Sequence, residues 1–431
     1  MRVALYVEDL GELSGAVLHA LKLLEPLAGV HDLTLMHKTP RDLCLSSVEA
    51  QFGFAPRNLH LQRVDSCWSA SRQSAAFDLF INSTASSLIP GRARQNMLLV
   101  FFPFVLDDFS LGWKAALGRA GQRLRQRLLE YADALAPDMG TLEFGQYRAA
   151  HGSAAAAARL PGFGLRKLGW MRPNNLQLGL PALDSYDLIL ANSEFTASWI
   201  WNNYRRDSML NYPPVQTQLF LPAAKERLIL SVGRLQAGPM SKRQELLLQV
   251  FKTLHDQGVL AGWRLCLAGY GDASSHYAAQ LLEQAENYPV DIELNAPFKR
   301  VAEWYAQASL YWHAMGYGCD AIKHPQSFEH FGLTTAEAMS AGCVPMAFAG
   351  GGQGEIVNDA RVGFLWQTPE ELMQQVRTFL AQSPAEQHQM RLAARRRVEE
   401  FGCGQFLERT VAAFNALGVA CGVRTSLRLA A

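Results

Sequence analysis

The chain has 431 residues, more than one hydrophobic core usually supports, so two domains of roughly 200 residues each are expected. Apolar residues make up 49% of it and charged residues 18%, a globular balance that excludes a disordered chain. With 40 Lys and Arg against 39 Asp and Glu, the formal net charge is +1, which offers no broad basic face to a nucleic-acid partner.

The first strand candidate, Arg2–Val7, is followed at once by Glu8 and Asp9, without the longer apolar run and cleavage site of a secretory signal. A glycine-containing loop, Gly11-Glu-Leu-Ser-Gly15, comes next. Further strand candidates in the first half are Asp32–His37, Leu79–Ser83, Met97–Phe102 and Leu188–Asn192. Alternation with helix-length amphipathic segments argues for a parallel α/β sheet covered on both faces. It is interrupted from about Asp107 to Leu180 by helical and loop-like sequence. The pair Asp107-Asp108 is read as solvated loop carboxylates rather than a metal site. From Gly112 to Leu128 there are Lys114, Arg119, Arg123, Arg125 and Arg127 without an acidic residue, with leucines at helical spacing. That is either a membrane-seeking amphipathic helix or a solvated surface helix. The longest apolar stretch, Met97–Leu106, contains a proline and is about half a bilayer span. A soluble or at most peripheral protein is expected. The 7 cysteines form no Cys-x-x-Cys pair and no zinc spacing, which reads as reduced thiols in a cytoplasmic compartment.

Tyr212-Pro-Pro-Val215 marks a break, because two prolines fix an extended segment. Strand candidates resume at Arg227–Val232, Arg264–Ala268, Asp291–Asn295, Leu310–His313 and Val344–Phe348, and Pro384 to Ala416 reads as long helices. At the first of these strands, Ser231-Val-Gly-Arg-Leu235 places Arg234 at the carboxyl edge, and Lys242 opens the next helix. Ligands of open α/β sheets bind at that edge, and the two cations suit a diphosphate. In Ser327-Phe-Glu-His-Phe-Gly-Leu-Thr-Thr-Ala-Glu-Ala-Met-Ser-Ala-Gly342, Glu329 and Glu337 lie eight apart. Thr334 or Thr335 is expected to cap the helix carrying Glu337, whose free N–H groups would face an anion. Glu337 itself would accept hydrogen bonds from ribose hydroxyls.

Taken in order, these motifs resemble the retaining glycosyltransferases of the GT-B fold, family four. Leu267-Ala-Gly-Tyr-Gly-Asp272, Gly350-Gly-Gly-Gln-Gly-Glu-Ile-Val357, Ala191-Asn-Ser-Glu-Phe-Thr196 and Tyr212-Pro-Pro-Val215 also look like family landmarks. Tyr311-Trp-His-Ala-Met-Gly-Tyr-Gly318 with Glu329-His-Phe-Gly332 resembles a bacterial subgroup and the eukaryotic mannosyltransferases of lipid-linked oligosaccharides. The resemblance implies two Rossmann-like domains facing an interdomain cleft. An acceptor domain would span 1–215 with an insertion at about 107–180, and a donor domain 226–395. A helix in 396–431 would cross back to the first domain. It implies transfer from a UDP- or GDP-sugar to a hydroxyl of a saccharide or lipid-linked acceptor, with no bound metal and no nucleic acid. Arg234 and Lys242 would take the diphosphate, Glu329 the transferred sugar and Glu337 the ribose. Gly332, Leu333 and Thr334 amides would complete the cradle, with His330 beside the donor and Ser14 and Gly15 approaching from the first domain, unless their loop is an ordinary turn. Many members carry a histidine after the strand matching Met97–Phe102, where this chain has Phe101-Phe102-Pro103-Phe104. A sugar-nucleotide epimerase of the same fold and a nucleotide-sugar-binding protein without activity are the alternatives. The expected location is cytoplasmic, with 112–128 as a contact to anionic membrane on the inner face.

Overall fold

A computed structural model of the chain describes residues 1–8, 10, 15–39, 59–83, 88–103, 180–238 and 240–422, with single positions 46, 49 and 154. These fall into two compact units. The first takes the described residues of Met1–Asn192, Thr196–Asn211 and Leu407–Ala431; the second takes Ser193–Phe195 and Tyr212–Phe406.

In chain order, the first unit holds β1 (Arg2–Val7), α1 (Gly15–Lys22), β2 (Asp32–His37), β3 (Leu59–Arg63) and α2 (Cys67–Ser74). It continues with β4 (Leu79–Asn82), β5 (Gln95–Val100), α3 (Leu180–Leu183), β6 (Leu188–Ala191), most of α4 (Glu194–Tyr204), and β7 (Met209–Leu210). Among the described residues its sheet has seven strands in the order β3-β2-β1-β4-β5-β6-β7, and every pairing is parallel. Val3 to Val7 of β1 are all buried, the continuous apolar run expected of a parallel strand covered on both faces. Two strands, β3 and β7, were not expected. Leu-His-Leu-Gln-Arg sits near the sheet edge with polar residues alternating, and β7 is only two residues long.

A buried polar relay joins three segments of this unit. His19 of α1 donates through Nε2 to Asn211 Oδ1 at 2.7 Å, and Asn211 Nδ2 donates to Thr410 Oγ1 at 3.0 Å. Thr410 lies on the last helix, so this part of the C-terminal chain is fastened to the first unit by Asn211. Phe101 meets the His19 ring edge-on at 5.8 Å. Burial, against the Asn211 hydrogen bond, pushes His19 down to about 4, so it stays neutral. Asn211→Ala removes a hydrogen bond from both neighbours at a site of 0% exposure. It is expected to cost about 2–6 kcal/mol, at roughly 1–3 kcal/mol for each buried group that loses a hydrogen bond, read from the urea midpoint.

The second unit holds β8 (Glu226–Val232), α5 (Gln244–Asp256), β9 (Arg264–Gly269), α6 (His276–Ala285), β10 (Val290–Leu294), α7 (Phe298–Gln307) and β11 (Ala308–His313). After these come α8 (Leu333–Ser340), β12 (Val344–Phe348), α9 (Gln353–Ile356), β13 (Phe364–Trp366), α10 (Pro369–Ala381), α11 (Pro384–Val398) and the start of α12 (Cys403–Ala416). The parallel order β10-β9-β8-β11-β12-β13 is the doubly wound arrangement, with its reversal between β8 and β11. Side chains alternate along β8. Ile229 enters the core with Leu247, Phe251 and Trp312, while Leu228 and Leu230 enter the opposite core with Trp304 and Tyr305. Lys225 closes the far end of the sheet, its Nζ donating to the carbonyls of Tyr305, Ala306 and Ala341 at 3.2, 2.8 and 2.6 Å. Those carbonyls end α7 and α8, where a cation opposes the helix dipole. At α11, Ser383 and Glu386 form a capping box ahead of Pro384 at the first helical position.

Candidate functional site

β8 stops at Val232, and the chain turns through Gly233 to expose Arg234 at the carboxyl edge of the sheet. Arg234 forms no ion pair with a described residue; its backbone carbonyl accepts from Gln244 Nε2 at 3.0 Å, which ties the loop to α5. The neighbouring strand β11 delivers His313 at its own carboxyl end. Both edges border the reversal point, the crevice where α/β sheets hold ligands.

Lys242 and Glu329 meet there. Lys242 Nζ forms an ion pair with Glu329 Oε2 and lies 3.2 Å from Met315 Sδ. His313 Nε2 lies 3.0 Å from the same Oε2. The three side chains are only 18%, 16% and 2% exposed, so the charges interact with little screening. Burial pushes the Glu329 carboxyl up, but the Lys242 charge and the His313 hydrogen bond outweigh it and hold the group below the usual carboxylate range. Burial likewise lowers His313 despite Glu329.

The loop carrying Glu329 is held on its other side by the glycine-rich segment after β12, where Gly352 N donates to the Glu329 carbonyl at 2.8 Å. Helix α8 begins immediately beyond. Its N-cap is Gly332, at φ +118°, and no side chain caps it. The expected threonine cap is therefore corrected. Left-handed backbone at Gly332 starts the helix at Leu333, which places Thr334 and Thr335 inside the first turn. Thr334 lies beside the Tyr311 phenol, whose hydroxyl donates to the Val232 carbonyl at 3.2 Å. The amides of Gly332, Leu333 and Thr334 find no acceptor among the described residues, as the first turn of a helix dictates. About a turn further in, Glu337 is half-buried and accepts from Tyr305 OH at 3.1 Å. Burial, opposed by that hydrogen bond, pushes its carboxyl up to about 7. His330, pushed down to about 4 by burial, donates through Nε2 to the Gln326 carbonyl at 3.2 Å.

Arg234, Lys242, Glu329, His330, Glu337 and the α8 start thus all lie in the second unit. Gly15 opens α1 of the first, and Ser14 lies outside the described residues, as do Asp107-Asp108 and residues 112–128. Among the described residues no group of three or more His, Cys, Asp or Glu is placed to hold a metal ion, and no helix is long and apolar enough to cross a membrane.

Sequence reasoning missed the role of Glu355. Its two oxygens accept from Glu194 N at 2.8 Å and Phe195 N at 2.9 Å, the first amides of α4, and the Tyr212 phenol lies beside it. Tyr212 stacks near Phe331 and Phe401, with centroids 5.5 and 5.0 Å away. Three separate landmarks, 191–196, 212–215 and 350–357, therefore meet at one carboxylate. Glu355 completes the open end of a helix, where negative charge is favoured.

Two doubly wound parallel sheets, the second carrying two cationic side chains and a helix start by its reversal point, define the GT-B architecture. Residues 218–397 match the family described as Glycosyl transferases group 1. It is 26% identical over 247 residues to the human GDP-Man:Man(3)GlcNAc(2)-PP-Dol alpha-1,2-mannosyltransferase, covering 51% of this chain and 46% of the relative. It is also 26% identical over 241 residues to human alpha-1,3/1,6-mannosyltransferase ALG2, covering 50% and 54%. The chain spans about half the length of the curated relatives it matches. Among solved structures, Anabaena Alr3699/HepE in complex with UDP and glucose has the same fold, with a TM-score of 0.61, 15% identity and coverage of 96% and 100%. WaaG, a glycosyltransferase involved in lipopolysaccharide biosynthesis, superposes with a TM-score of 0.54 at 15% identity, covering 96% and 100%.

Proposed function

We propose that the chain is a retaining glycosyltransferase that moves a hexose from a UDP- or GDP-sugar to a hydroxyl acceptor. The observation that supports this reading is the Lys242–Glu329 pair by the reversal point of the second sheet, with Arg234 exposed at the adjoining strand edge and Glu337 on α8, whose first amides are unsatisfied among the described residues. Negative charge grows on the departing diphosphate as the sugar bond breaks. Arg234, Lys242 and the α8 amides answer it with fixed charges already in place. Glu337 takes the ribose hydroxyls and Glu329 a hydroxyl of the transferred sugar. The acceptor hydroxyl attacks from the face the diphosphate leaves, with its proton passing to the departing oxygen, so no enzyme nucleophile is required.

The GDP-Man and PP-Dol in the human relatives' names, together with UDP and glucose in the Anabaena complex, support a nucleotide-sugar donor. They favour an acceptor in lipid-linked or cell-surface glycan synthesis. The reading places the protein in the cytoplasm, with the basic residues between 112 and 128 drawing it to an anionic membrane.

A thermal-shift screen with UDP, GDP, ADP and their sugars tests the donor assignment. A ligand at about 100 times its Kd adds roughly 2.7 kcal/mol. No shift with any of them would overturn it, and release of nucleoside diphosphate only with acceptor present separates transfer from mere binding. Gly233→Ala is a sharper probe of the Lys242 position. A Cβ there would lie 2.8 Å from Lys242 Cγ and 3.3 Å from Cδ and Cε, so the lysine stem must move. Turnover should fall by about 10- to 100-fold, as for misplacement of about 1 Å, with little change in Tm. Unchanged turnover would count against Lys242 at the diphosphate.

A further inference from the structure

The two donors on Glu329 share one oxygen. Lys242 Nζ and His313 Nε2 both contact Oε2, while Oε1 accepts no hydrogen bond from a described residue and is not among the buried atoms that lack one. The carboxylate is thus clamped on its inner oxygen and open on its outer one. The two clamps differ in freedom. Lys242 rides on a flexible four-carbon stem and is 18% exposed, whereas the His313 ring sits at 2% exposure at the end of β11 and cannot follow a ligand.

The proton on His313 is assigned by its surroundings. An ionised carboxylate only accepts, so Nε2 carries the hydrogen. Nδ1 is buried with no hydrogen-bond partner among the described residues, which disfavours a second proton there. Among the described residues, Glu329 and Lys242 are the charged groups that act on the His313 ring, and His330 and Tyr311 also feel the Glu329 charge. Burial acts in the same direction, keeping the ring neutral.

We propose that His313 is a positioning residue: its neutral Nε2–H holds Glu329 Oε2 when Lys242 turns to the diphosphate, so that Oε1 stays presented to a hydroxyl of the transferred sugar. This rests on the transferase reading, with Glu329 at the sugar. His313 then governs how the protein recognises the sugar, and not how it holds the nucleotide.

The test compares dissociation constants for UDP, GDP and their glucose and mannose esters, measured by calorimetry on the parent, His313→Leu and His313→Gln. His313→Leu should weaken the nucleotide sugar by about tenfold relative to the bare nucleoside diphosphate, the loss expected of one misdirected charged hydrogen bond. Bare UDP or GDP should bind within about twofold of the parent, the margin of sites that do not interact. Glutamine, whose amide N–H can reach the same oxygen, should recover most of the loss. Equal weakening of nucleotide and nucleotide sugar, or no rescue by glutamine, would overturn the assignment. If the parent binds none of these ligands, the transferase reading fails first and takes the assignment with it. Nitrogen-15 NMR of the parent's histidines does not depend on either variant folding. His313 should show the neutral Nε2–H form with and without UDP, and an imidazolium or an Nδ1–H form would exclude the proposed clamp.

Discussion

Lys242→Met is expected to reduce turnover by about 10²–10³-fold, the loss seen when one preorganised charge facing a developing anion is removed. The same change should also destabilise the second unit, by about 3–5 kcal/mol, because it leaves the Glu329 carboxylate buried without its cation. The two effects separate in the double variant Lys242→Met/Glu329→Gln. Removing the orphaned charge should restore most of the stability, while turnover stays at the level of the worse single variant. Urea denaturation read beside steady-state rates gives the four corners of the cycle. Additive stability losses would mean the pair is not coupled, contrary to their shared oxygen. The pair also carries a pH signature of fixed sign. Glu329 is held below its ordinary range, so its contribution is present above the unfolded carboxylate pKa and is lost as the solution is acidified.

Glu337→Gln should weaken nucleotide-sugar binding by about 10- to 100-fold, since a hydrogen bond to a charged acceptor contributes about 1.5–3 kcal/mol. Its carboxyl, pushed up to about 7 by burial, makes this loss depend on pH. Ribose hydroxyls bind the carboxylate form better, so donor affinity of the parent should strengthen from about pH 6 to about pH 8 and level off above, while the glutamine variant stays flat. Tyr305→Phe removes a hydrogen bond that favours the ionised form and should move the parent's transition to higher pH. Stability follows the opposite course from affinity. A carboxyl whose folded pKa is raised contributes most below its unfolded pKa, and that contribution is gone once pH has risen past about 7. Donor affinity that does not vary over this interval would remove Glu337 from the ribose.

All ten expected strands are present, most within one residue of the expected bounds and none off by more than two, because buried parallel strands must be apolar on both faces and so read as unbroken runs. The strands that escaped notice, β3, β7 and β13, are edge or near-edge pieces of five, two and three residues, too short or too polar to rise above loop sequence. The helix start at Gly332 was mistaken for a threonine cap because a threonine in the first turn and a threonine at the cap look alike in sequence. Only backbone dihedrals distinguish them.

The sequence by itself determined the two α/β halves, the cationic strand edge and the spaced glutamates, since periodicity, prolines, glycines and charge act over a few neighbouring residues. Tertiary structure alone decided what each of those groups touches. Lys242 and Glu329 are 87 residues apart in sequence, His313 reaches the same oxygen from a third segment, and Glu355 joins a helix start 161 residues away. Burial and the nearest charge set the protonation and direction of such groups, and both are created only when the chain folds.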